Sequence, residues 1–127
     1  MKPFIFLALI ANTLAFSYSS FDVFKIFPNK VFVETGTYVG QGVQLALDTN
    51  GFEKIISVEL SPYYYEFSKK RFENKKEVQI VLGDSSNILT SIIKNINSPI
   101  TFWLDGHYSG NGVNLSISKL SYIHDVA

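Results

Sequence analysis

The chain contains no cysteine, which excludes a disulfide framework, a thiolate nucleophile and a sulfur-ligated metal site. It has no excess of either charge, with 11 basic and 11 acidic residues, so no overall field draws it to nucleic acid or anionic lipid. Nucleic acid is therefore set aside as a main partner. There is no internal repeat, no low-complexity linker and no Gly-Lys-Ser/Thr of a phosphate-cradling P-loop. What is present is 127 residues, 46% apolar and 17% charged, a composition that fits one globular core.

The amino terminus stands apart. Met1, Lys2 and Pro3 precede a run of about eleven mostly apolar residues, and Thr13, Leu14 and Ala15 bring small residues near a cleavage point, which is the grammar of a secretory signal. The run falls short of the roughly 20 residues of a membrane-spanning helix, and Asn12, Ser17, Ser19 and Ser20 follow it, so no stable membrane span is expected. Residues 1–18 are read as a removable signal, as an apolar first helix packed on the domain or as a membrane anchor, and residues 19–127 as the domain. A removed signal implies a secreted or periplasmic protein; a retained helix implies a cytoplasmic one.

Apolar periodicity then organises the chain. Residues 20–27 predict a short helix with Phe21, Phe24 and Phe27 on one side. Residues 31–34 form a strand that stops at Glu34, followed by a bend with Gly36, Gly40 and Gly42 and a helix over 41–50, with Gly51 as its C′ residue. Residues 54–60 are a second strand. Ser61 and Pro62 open a helix to about Asn74, with Tyr64, Phe67 and Phe72 on one side and Lys69, Lys70 and Arg71 toward water. A third strand covers 77–82, Ser85 or Ser86 caps a helix carrying Ile88, Leu89, Ile92, Ile93 and Ile96, and a fourth strand covers 100–104, with Phe102 and Trp103 in the core. Alternation of this kind predicts an α/β three-layer sandwich with a parallel sheet and right-handed crossovers.

Ligands of open parallel sheets bind beyond the carboxyl ends of the strands. All four predicted strands end on acidic residues there: Glu34, Glu59, Asp84 and Asp105. A ring of carboxylates suits a ligand rich in hydroxyl and amino donors better than a pyrophosphate. The glycines agree, since a dinucleotide loop needs them at relative positions one, three and six, and Gly36, Gly40 and Gly42 stand at one, five and seven.

The stretch Glu34-Thr35-Gly36-Thr37-Tyr38-Val39-Gly40 resembles the first motif of class I S-adenosylmethionine-dependent methyltransferases. A tyrosine where many members have a middle glycine is similar to the small-molecule O-methyltransferases of the catechol, caffeoyl-CoA and macrolide-sugar types. The resemblance spans residues 31–110 and implies a Rossmann-like fold with strand order 3-2-1-4 in this part. It implies that Glu34 and the backbone of Gly36, Tyr38 and Gly40 hold the methionine part of S-adenosylmethionine, and that Glu59 takes both ribose hydroxyls. Asp84 and Ser85 match the adenine position. Asp105 falls where metal-dependent members place their first magnesium ligand.

Two departures qualify the resemblance. Catechol-type enzymes have a lysine base three residues after the metal aspartate, where this chain has Tyr108, so His107 is the better general-base candidate, against its other reading as a hydrogen-bonding loop histidine. Residues 105–127 contain no recognisable fifth strand, which predicts a domain lacking the carboxyl-terminal strands, with an apolar fourth strand left at the edge for 111–127 or a second copy of the chain to cover. His124 reads as structural, and Asn114-Leu115-Ser116 as a chance glycosylation sequon. Two functions stay open: a methyltransferase acting on a small-molecule or sugar hydroxyl, and a non-catalytic, truncated remnant or secreted interaction module that keeps the half-Rossmann shape.

Overall fold

The computed structural model describes residues 24–25 and 29–104. The signal segment 1–18, most of the predicted first helix, Asp105, His107 and the tail lie outside the described residues. The elements alternate as expected: β1 Val31–Thr35, α1 Gln41–Asp48, β2 Lys54–Glu59, α2 Pro62–Arg71, β3 Val78–Leu82, α3 Ser85–Ile93 and β4 Ile100–Leu104. The strands form one parallel sheet ordered β3-β2-β1-β4. It is a Rossmann-like α/β arrangement.

Strand alternation explains the layers. Phe32 and Ile55 turn to one face, where they are buried with Val43 and Ala46 of α1, Phe72 at the end of α2, and Phe24. Val31, Val33, Ile56, Ile100 and Phe102 turn to the other and meet Leu89 of α3, with Ile92, Ile93 and Ile96 packed beside it. Successive side chains of a strand point to opposite faces, so a sheet covered on both sides needs apolar residues at consecutive positions. Each fully buried Phe, Ile or Val contributes about 1.5–3 kcal/mol relative to exposure. The Phe24 ring meets Phe32 and Trp103 edge-on, with centroids 4.9 and 5.1 Å away.

Several local boundaries differ from expectation. β1 continues through Thr35, because Thr35 pairs with Val58 on one side and Leu104 on the other. Asn50, at φ 53, takes the left-handed position after α1 that was expected at Gly51; asparagine tolerates this conformation, and the helix ends at Asp48, two residues earlier than expected. α2 stops at Arg71, since Phe72 leaves the helical path to enter the core. Asp84 caps α3 in place of Ser85 or Ser86, its Oδ1 accepting from Ser86 N at 2.9 Å.

Among the described residues, no helix is long and apolar enough to cross a membrane.

Candidate functional site

The carboxyl ends of β1 and β2 are in register, with Glu34 beside Ser57 and Thr35 beside Val58. Glu34, Ser57 and Glu59 therefore share the face that carries α1 and α2, and the bend of residues 36–40 curls over them. Glu34 is only 2% exposed. A buried carboxylate needs compensating donors or positive potential. Ser57 Oγ donates to Glu34 Oε2 at 2.5 Å, and Thr37 Oγ1 and Ser57 Oγ are 2.6 Å apart, which extends the network into the loop. The other oxygen, Oε1, lies against Gly42 in the first turn of α1, where the helix dipole favours negative charge. A Cβ at position 42 would stand 1.8 Å from that oxygen, so glycine is required for the close approach.

Glu59 is similarly placed at the start of α2. Its Oε2 accepts from the Tyr38 amide at 2.7 Å and its Oε1 from the Ser61 amide at 2.8 Å. The carboxylate offers about four lone-pair directions and these amides use two, so one remains on each oxygen. Glu59 thus does two things at once: it holds the loop and keeps acceptor capacity for a pair of hydroxyls.

The loop itself is under conformational demand. Tyr38 has φ 50 and Gly40 φ 83, both left-handed. For tyrosine this conformation costs roughly 1–2 kcal/mol. The α2 face offsets it: Ser68 Oγ donates to the Tyr38 carbonyl at 2.8 Å, Arg71 Nη1 to the Val39 carbonyl at 2.6 Å, and the Phe72 ring lies under Gly40. Arg71, expected to face water, is exposed but serves the loop. Phe67, expected on the covered side, is 48% exposed, and the fully buried residue of the helix is Ser68. The helix packs against backbone carbonyls, which call for a donor.

Aromatic rings line the outside of the bend. Tyr38 and Tyr64 have centroids 4.5 Å apart, and Tyr63 meets Tyr64 edge-on at 5.2 Å. A side-chain hydrogen bond to Tyr38 pushes the Tyr64 phenol above its ordinary value, helped by partial burial and by the negative charge of neighbours that include Glu59.

The structure thus brings Glu34, Gly36, Tyr38, Gly40 and Glu59 together. Asp84 lies at the end of the neighbouring strand, where its carboxylate is engaged by α3, accepting from Ser86 Oγ at 2.7 Å as well as from the Ser86 amide. Ser85 opens that helix. Asp105 and His107 lie outside the described residues, and among the described residues no three acidic or histidine side chains gather as metal ligands. Among the described residues, hollows lie elsewhere: about 150 Å³ at the amino ends of the strands beside Phe24 and Phe52, and about 350 Å³ along β3 beside Phe72 and Ile80. Neither is lined by the strand-end carboxylates. Thr37, Ser57, Ser61, Ser68 and Arg71 were not foreseen; only Ser57 carried a signal, being a lone hydroxyl inside an apolar strand and therefore in need of a partner.

The sheet order, with a glycine bend after β1 and a carboxylate closing β2, is a Rossmann-like arrangement that several solved methyltransferases share. No protein-family model matches the chain, and no curated protein does. Solved structures do. The O-methyltransferase TomG from Streptomyces achromogenes, in complex with SAM, matches with a TM-score of 0.59 at 15% identity, over 68% of this chain and 41% of that one. The O-methyltransferase from Bacillus cereus, in complex with SAH, matches with 0.55 at 17% identity, over 74% and 49%. The SAH-bound Podospora anserina methyltransferase PaMTH1 gives 0.52 at 21%, over 57% and 33%. The chain spans less than half the length of each.

Proposed function

We propose that the chain binds S-adenosylmethionine at the β1–β2 rim and transfers its methyl group to an oxygen of a small molecule or sugar. The observation that carries this reading is the buried Glu59 carboxylate, which holds the Tyr38 amide and retains one acceptor position on each oxygen. Adjacent ribose hydroxyls are the natural donors for such a pair. The bend fits the methionine end of the cofactor, because left-handed residues at 36, 38 and 40 turn backbone groups toward the rim without side-chain obstruction at the two glycines. The neighbours solved with SAM or SAH support the same ligand.

When bound, the cofactor supplies an electrophilic methyl on a sulfonium. The chain's own share is positioning and proton handling. Glu59 would hold the ribose and the bend the methionine end, which would fix the cofactor relative to an acceptor. Of the residues outside the described part of the chain, His107 is the candidate base for the acceptor hydroxyl, and the resemblance makes Asp105 the candidate magnesium ligand.

Calorimetry with S-adenosylhomocysteine on the full chain tests the reading. Binding by the parent and its loss in Glu59→Ala are expected. A parent that binds neither S-adenosylhomocysteine nor S-adenosylmethionine sinks it.

A further inference from the structure

Tyr64, Ser68 and Arg71 of α2, spaced four and three apart on a single helical face, meet the bend, and Phe72, the C-cap residue just beyond the helix, joins them. Their partners are consecutive. Tyr64 packs on the Tyr38 ring, Ser68 donates to the Tyr38 carbonyl, Arg71 to the Val39 carbonyl, and Phe72 supports Gly40. One helical face and the C-cap residue that follows it are thus matched to a three-residue stretch of loop.

We propose that Ser68 and Arg71 are positioning residues that hold the bend in its ligand-binding shape before any ligand arrives; this rests on the cofactor reading for its functional consequence, though not for its structural one. Tyr38 is the reason such a clamp is needed. A non-glycine residue at φ 50 relaxes toward extended or right-handed backbone unless its neighbours forbid it, and relaxation would withdraw the Tyr38 amide from Glu59. Ser68 is fully buried and Arg71 reaches in from the surface, so the two grip adjacent carbonyls from different depths. Binding to a loop that is competent only part of the time weakens in proportion to that fraction.

Hydrogen exchange on the ligand-free chain, read at the amides of residues 38–42, is the primary test, with Arg71→Met, Arg71→Lys and Ser68→Ala compared with the parent. Arg71→Met keeps the apolar stem and removes the donor at an exposed position, so folding is retained. Faster exchange in the bend with unchanged exchange in β1 is expected for Arg71→Met and Ser68→Ala, and recovery for Arg71→Lys. S-adenosylhomocysteine affinity should fall roughly tenfold with loss of either donor, as one hydrogen bond of typical net strength implies. Unaltered exchange in the bend of Arg71→Met overturns the clamp, whatever Ser68→Ala does. A parent that binds no S-adenosylhomocysteine removes the cofactor reading while the exchange comparison still decides the clamp.

Discussion

The backbone amide of Tyr38 donates to Glu59 Oε2 across 2.7 Å, so the last side chain of β2 closes the loop that follows β1. The other carboxylate oxygen takes the Ser61 amide at 2.8 Å. A carboxylate can accept at both oxygens, whereas an amide side chain can accept at one only.

Glu59→Gln is therefore not conservative here. It sets an NH₂ group against one of two backbone N–H donors, and the chain should lose about 1–3 kcal/mol of stability, as expected when a buried donor loses its acceptor. Denaturant unfolding of the parent and variant measures it. A difference within error would mean that one of the two amides is satisfied elsewhere.

Gly42→Ala should be harmful although α1 is helical there and alanine is ordinarily the better helix former. The added methyl would meet Glu34 Oε1 at 1.8 Å, and relief requires moving a buried carboxylate away from Ser57. Overpacking of this kind costs typically 1–3 kcal/mol. A melting temperature equal to or above the parent's would contradict the close approach.

Asp84 separates two roles by substitution. Asp84→Ala removes the α3 cap and should cost about 1 kcal/mol, while Asp84→Asn keeps an acceptor for the Ser86 amide and should cost little. If S-adenosylhomocysteine binding weakens in Asp84→Asn while stability holds, the residue serves the ligand as well as the helix.

Tyr64 should titrate above its ordinary value. Its raised phenol means that the protonated form is favoured by folding, so this contribution to stability is complete below the ordinary value of 10.0 and is lost as pH rises through the folded value. The phenolate transition that Tyr64→Phe removes from the parent's absorbance titration should lie above the ordinary tyrosine value, and it should move down in Tyr38→Phe, which lacks the hydroxyl that is the largest cause of the shift. A titration of Tyr38→Phe superimposed on the parent's would remove Tyr38 as the cause.

The elements were legible because their signals are local. Alternation of apolar strands and amphipathic helices predicts the parallel sheet, and the strand order follows from the resemblance carried by residues 34–40. Glu34 and Glu59 were legible as strand-end carboxylates. Their support was not: Ser68 reads as an ordinary polar residue in a helix, and Arg71 as the end of a basic run, because nothing in the order of residues says that loop carbonyls will face them. Where Asp84 sits beside two serines, all three are competent caps, and the order of residues does not say that the first of them is used.

The pairing of α2 with the bend also bears on transplantation. A designer who grafts residues 34–42 into another parallel sheet moves the glycines and leaves behind every donor that keeps Tyr38 left-handed. The portable piece is the stretch 31–72, both strands and both helices included, and a search keyed to the glycine signature alone will accept hosts in which the loop has nothing to lean on.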